Sequence, residues 1–177
     1  IGEGRAARTK ANKAQSAIEL AAHGASIIEV RKTDGHWEVM ADSSYNRRIT
    51  GLATEIAVAG PAAGHDKLKT KADPTGRKVI GTLNNCAMGF TPWRTYLACE
   101  ENFNGYFRKA SGAPVTPLER RYGLSTNGFG YNWHRTDARF RIDPAVLPEA
   151  PDAPYEPNEP NRFGWVVEID PLLPGST

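Results

Sequence analysis

Cysteine is scarce: Cys86 and Cys99 are the two in 177 residues, too few for a disulfide framework. Long apolar runs are missing as well. None approaches the ~18 residues a membrane helix needs, which excludes a helical span. An excess of one charge is also absent, since 22 Lys and Arg face 20 Asp and Glu for a net +2. That balance gives no footing for nucleic acid or an anionic membrane as partner. The sequence contains no P-loop, dinucleotide-binding glycine pattern, nucleophile elbow or zinc spacing. His23, His36, His65 and His134 are scattered, with no i, i+4 pair, and read as non-catalytic. No initiator Met or apolar leader precedes Ile1, so no export signal is visible.

What is present is the composition of one globular domain. Hydrophobic residues make up 40% and charged residues 24%, and a chain this long buries about 70% of its unfolded surface. Seventeen Gly and thirteen Pro favour turns and strands over a helical bundle. Ala7, Ala11, Ala14, Ile18 and Ala21 fall on one stripe, predicting a single long helix over residues 5–23 with Gly24 as its stop. A hairpin follows. Ile28 and Val30 alternate with polar residues, Asp34-Gly35 makes the turn, and Trp37 and Val39 return in a strand expected to be buried. Residues 47–60 read as one or two strands and residues 61–76 as a polar loop, with a solvated basic face at Lys67, Lys69 and Lys71. Short strands are expected at 79–83, 95–99, 128–133 and 163–170, with Leu97, Val166 and Val167 buried. Pro148, Pro151, Pro154, Pro157 and Pro160 mark an extended, polyproline-like excursion between the last two. The class is therefore mainly β, a sandwich or propeller with one early helix and long loops, although no fixed repeat is legible.

The chemistry concentrates between Gly81 and Phe107. Asn84, Asn85, Cys86, Cys99, Glu100, Glu101 and Asn102 crowd there among turn residues and aromatics. If residues 95–101 form a strand, Leu97, Cys99 and Glu101 share one face, and Tyr96, Ala98 and Glu100 the other. Taking Leu97 and Cys99 as core places Glu100 on the outward face. Adjacent carboxylates at a strand end call for solvent or a cation, because a buried unpaired carboxylate is costly. Cys86 is expected in a tight Asn-Asn-Cys-Ala turn, within reach of a metal held by those carboxylates.

Residues 84–107, NNCAMGFTPWRTYLACEENFNGYF, closely resemble the signature of the PhoX-type alkaline phosphatases, NNCA-x-G-x-TPWGTYLTCEEN. AAHGASIIEV with GHWEV, SSYNRRITG, GPAAG and PNRFGWVVEIDP resemble further blocks of that family in the same order. The likeness runs through nearly the whole chain. It implies a β-propeller exported to the periplasm or cell surface, typically by the twin-arginine route, that hydrolyses phosphate monoesters with Ca2+ and Fe3+. By motif, Cys86 corresponds to a thiolate iron ligand, and Glu100 and Glu101 are the candidate carboxylate ligands, Glu100 being favoured for its outward face. Asn85 and Thr91 would support the ligands. Clustered cations would neutralise a phosphate dianion, so no Ser or His nucleophile is required.

Two departures carry expectations of their own. Arg94 stands where the family has Gly, placing a long cation that could narrow the site or bind substrate. The family's remaining acidic ligands and phosphate-binding arginine have no counterpart in these residues. At roughly 40 to 50 residues per blade, 177 residues give three or four blades, too few to close the usual ring. Residues 1–177 are thus expected to be part of a propeller, partnered by the rest of its own chain and inactive alone. Two other readings remain open: a calcium-binding propeller segment without turnover, and another hydrolase on this scaffold, a phosphodiesterase or lactonase.

Overall fold

A computed structural model describes residues 12–175. Helix α1 (Lys13–Ala22) opens on a capping box. The Asn12 side chain accepts the Gln15 N–H at 2.9 Å, and the Gln15 side chain accepts the Asn12 N–H at 3.3 Å. Asn12 is itself extended and caps the helix, so α1 starts at Lys13. Residues 5–11, with Ala7 and Ala11, lie outside the described residues. The alanine stripe is not the buried face. Ser16 and Leu20 are buried, whereas Ala14 is exposed and Ile18 is 71% exposed. Polar docking selects that face: the Thr136 hydroxyl donates to Ser16 at 2.8 Å, and the Trp133 indole N–H donates to Glu19 at 2.7 Å.

Gly24 ends the helix at φ 104°, and a Cβ there would meet the Ile49 carbonyl oxygen at 2.0 Å. That close approach lets β1 (Gly24–Ile27) pair antiparallel with β4 (Arg47–Thr50), Ala25 opposite the buried Ile49. Between them, β2 (Val30–Thr33) and β3 (His36–Val39) form the expected hairpin, its turn made by Asp34 and Gly35, both at positive φ. Its apolar residues are not buried. Trp37 is 68% exposed and Val39 59%, and among the described residues the two strands pair only with each other.

The 47–60 stretch does divide into two strands, β4 and β5 (Glu55–Ala57). The latter pairs with β6 (Lys78–Ile80), setting Ile56 against Val79 in the core. The largest sheet orders β7 (Asn85–Phe90), β8 (Tyr96–Glu100) and β9 (Val166–Ile169) side by side, all antiparallel. Strand alternation buries Val167 and Ile169 and leaves Val166 exposed, so that valine is not core. Leu97 is half-buried on the opposite face from the buried Ala98. Residues 128–133 are not a strand: Asn132 turns at φ 60° into a 3-10 turn, Trp133–Arg135. A short helix, α2 (Pro117–Tyr122), carries a second capping box, Thr116 with Glu119. Glu119 also pairs at 2.6 Å with the buried Lys109. The class is mainly β, the described residues forming four small antiparallel sheets joined by long loops and 3-10 turns.

Those loops build much of the core. Trp133, fully buried, stacks on Tyr106 at 4.8 Å and 9° and meets Phe140 and His23 edge-on. Three arginines close the loop backbones. Arg139 donates to the Ile80 and Gly51 carbonyls, Arg141 to those of His134 and Pro154, and Arg162 to those of Leu68 and Lys78.

His134 is buried beside this network. Burial first, then Arg108, Arg135 and Arg141, lower its pKa from 6.5 to about 4. The unfolded chain therefore binds more protons between those values, so this stability is present above pH 6.5 and lost as pH falls through 4. Denaturant titrations of the full-length protein between pH 7 and 4 should show a loss on the order of 3 kcal/mol. His134→Asn should flatten the slope. A variant slope equal to the parent's would place the acid sensitivity elsewhere.

Candidate metal centre

The site residues cluster where β7 begins and β8 ends. Asn84, at φ 51°, makes the turn into β7, so Cys86 stands in a strand and not in the tight turn expected for it. The β7–β8 register runs Asn85 to Glu100, then resumes at Met88 to Ala98. Cys86 and Ala87 share the bulge opposite Cys99. The bulge leaves Cys86 exposed, with its thiol hydrogen-bonded to the Glu101 carboxylate. That hydrogen bond and the carboxylate's charge push the thiol above its usual pKa.

The neighbouring carboxylate faces the other way. Tyr96, Ala98 and Glu100 share the core face of β8, the reverse of the expected arrangement, so the reason for favouring Glu100 does not hold. Ala98 is small enough to sit against the core while Leu97 stays half-buried, and residue size alone misassigns the faces. Glu100 accepts four hydrogen bonds. One oxygen takes the Thr82 hydroxyl at 2.8 Å and the Leu83 N–H at 2.9 Å; the other takes the Gly164 N–H at 2.8 Å and the Trp165 N–H at 3.2 Å. Burial raises its pKa and these donors oppose the rise. Asn85 supports this latch by donating to the Thr82 hydroxyl at 2.8 Å, and its side-chain oxygen Oδ1 is buried without a partner among the described residues.

Thr91 and Arg94 are not brought to Cys86. They occupy the far turn of the hairpin, the length of β7 away, or about 17 Å at 3.4 Å per residue. The buried Thr91 and Thr95 hydroxyls bond each other at 2.7 Å, and Thr95 donates to Glu168 at 2.5 Å. Arg94 lies at φ 73°, the left-handed region that favours glycine. Behind Cys86 stands a wall that residue-type reasoning missed: Tyr106, hydrogen-bonded to Tyr131, with His23 and Trp133 packed against both. Its one signal in the sequence is the aromatic run directly after Glu101-Asn102.

Among the described residues, no group of three or more His, Cys, Asp or Glu side chains converges on a metal position. Cys86 and Glu101 offer one sulfur and one carboxylate. Such a mixed set suits ferric iron, and a single carboxylate is far short of the six to eight oxygens calcium takes. Glu100, its acceptor capacity filled by protein donors, does not fit as a ligand in this arrangement. A cleft of about 410 Å³ lies on the core side of β8 and β9, lined by Ile56, Val79, Glu100, Arg162, Trp165 and Val167. Cys86 and Glu101 do not line it.

Compared with known proteins, residues 3–177 match the family described as alkaline phosphatase PhoX. Among solved structures, Pseudomonas fluorescens PhoX in complex with vanadate, a transition state analogue, is 48% identical with a TM-score of 0.77. The match covers 89% of this chain and 25% of that one, so the chain spans a quarter of that protein's length. No curated protein matches.

Two substitutions separate structure from chemistry here. In Glu100→Gln one oxygen becomes an NH2 that opposes two donors, which should cost about 1–3 kcal/mol in denaturant unfolding. Loss of bound metal at unchanged stability would instead make Glu100 a ligand. Arg94→Gly should stabilise by about 1 kcal/mol, because glycine adopts the left-handed backbone without strain. A midpoint that does not rise would mean that contacts of Arg94 offset its strain.

Proposed function

The chain belongs to the alkaline phosphatase PhoX family, and on that premise we propose that it is part of an enzyme hydrolysing phosphate monoesters with bound Fe3+ and Ca2+. The observation that carries the reading is the exposed Cys86 thiol against the Glu101 carboxylate, inside the segment that bears the family signature. Cys86 and Glu101 would hold iron, and cations bound there would neutralise the phosphate dianion and the charge that spreads over its oxygens during transfer. Glu100, Thr82 and Asn85 fix the strand end from which Glu101 projects. The Tyr106, Tyr131 and Trp133 rings pack against one another beside Cys86. Vanadate bound to the Pseudomonas fluorescens protein as a transition state analogue supports a phosphoryl substrate for this chain too.

The site's other ligands would come from the rest of a longer chain, as would the remaining blades of a propeller. Met88 and Phe90, 64% and 82% exposed on edge strand β7, fit a face that such blades cover. Residues 1–177 alone should therefore lack turnover. The family likeness supports export to the periplasm or cell surface. No helix of the described residues is long and apolar enough to cross a membrane.

Metal analysis and a chromogenic phosphate ester test this reading on the full-length protein. Cys86→Ser should remove most bound iron, the visible thiolate-to-iron absorption and at least 100-fold of the activity, on the order of 3 kcal/mol in barrier. Unchanged colour, iron content and turnover in that variant would refute the assignment.

A further inference from the structure

Both members of the Cys86–Glu101 pair adjoin one turn residue. Cys86 lies in the bulge, where the regular pairing with β8 is interrupted between Asn85 and Met88. Glu101 lies one residue beyond the end of β8, and its N–H donates to the Asn84 carbonyl at 3.0 Å. Asn84 itself makes the left-handed turn two residues before Cys86. The Asn84 N–H is not given to the sheet. It donates to Nδ1 of His23 at 3.3 Å, 61 residues away in sequence at the C-terminal cap of α1.

His23 is held in one orientation. Its ring stands edge-on to Tyr106 at 5.1 Å and 89°, to Trp133 at 5.3 Å and 90°, and to Tyr131 at 6.4 Å and 68°. Its backbone N–H donates to the Leu20 carbonyl at 3.3 Å. An imidazole nitrogen that accepts a hydrogen bond carries no proton, so the neutral ring keeps its proton on Nε2. Burial, opposed by Glu19, lowers the His23 pKa and maintains that neutral form.

We propose that His23 is a positioning residue for the metal pair: by accepting the Asn84 N–H, it sets the turn that aims Cys86 and Glu101 at a common point. The proposal rests on the reading of those two residues as iron ligands. His23 touches neither of them among the contacts described and acts through the peptide of Asn84. A bland core histidine would serve as well with any ring of its size, and that difference is testable. Phenylalanine keeps the edge-on ring contacts and offers no acceptor. Asparagine gives up the ring and places an amide oxygen near the position of Nδ1.

The experiment is ferric iron titration of the full-length protein, read by bound iron and by the thiolate-to-iron absorption band, with thermal unfolding alongside. His23→Phe should weaken iron binding about 10-fold and shift the band, and His23→Asn should recover most of both despite its smaller side chain. If His23→Phe matches the parent in affinity and band, the proposal is wrong and His23 only packs. Should His23→Phe not fold, His23→Asn and His23→Gln carry the same contrast, with the acceptor in place in one and a methylene farther out in the other. Equal affinity in those two overturns it. Cys86→Ser, run in parallel, separates this failure from that of the parent reading. A band and iron content unchanged in Cys86→Ser would show that Cys86 is no ligand, and the positioning role would fall with it.

Discussion

Trp133 joins what the small sheets cannot hold by themselves. A two-stranded ribbon is marginal in water, and three of the four sheets among the described residues are two-stranded. The Trp133 ring stacks on Tyr106, meets His23 and Phe140 edge-on, and sends its indole N–H to Glu19 on α1. Helix, site wall and loop are thereby joined at a single buried side chain. Each such ring removes about 150–250 Å² from water, worth roughly 4–6 kcal/mol at 25 cal/mol per Å². Tyr106, Phe107, Phe140 and Phe163 extend the cluster toward β8 and β9. Most of these rings stand outside the strands, so loops supply the core here and the sheets are laid against it.

A core built by loops leaves backbone carbonyls without ladder partners, and each one buried unpaired would cost free energy. The arginines answer that need. Arg162 is buried, yet it reaches the carbonyls of Leu68 and Lys78, the Thr70 hydroxyl, and the carboxylates of Asp73 at 3.5 Å and Glu159 at 3.3 Å. It fastens the Pro-rich excursion to the polar loop before β6. Asp73 works in the opposite sense, accepting the N–H groups of Thr75, Arg77 and Lys78 and the Thr75 hydroxyl. Those donors outweigh its burial and lower its pKa to about 2.

Local chemistry was legible in the sequence and facing was not. Asp34-Gly35 announced its hairpin because two successive positive φ values admit few other residues, and 163–170 announced β9 through its apolar run. Burial of Trp37 and Val39 could not be read from alternation, since period two shows that two faces differ without showing that either is covered. The Asn12–Gln15 capping box was in plain sight, but the alanine stripe pointed past it. In β8 the small Ala98 is core and the larger Leu97 half-exposed, which inverted the inferred faces and with them the roles of the two glutamates. The family signature marked the candidate segment; only three dimensions showed which way its residues face.

That division follows from the pleat. Glu100 and Glu101 are consecutive and chemically identical, but successive strand positions point to opposite sides. The inner carboxylate loses water and is tolerable only because four donors from two separate segments converge on it. Its acceptor positions are taken up in joining residues 82–83 to residues 164–165. The outer carboxylate keeps its water, its one described side-chain neighbour is a thiol, and it can give up both for a metal at little cost. A single-residue shift of register would exchange the two environments. The bulge at Cys86 and the left-handed turn at Asn84 sit beside that register, so the features that expose the thiol also keep the inner and outer carboxylates from changing places.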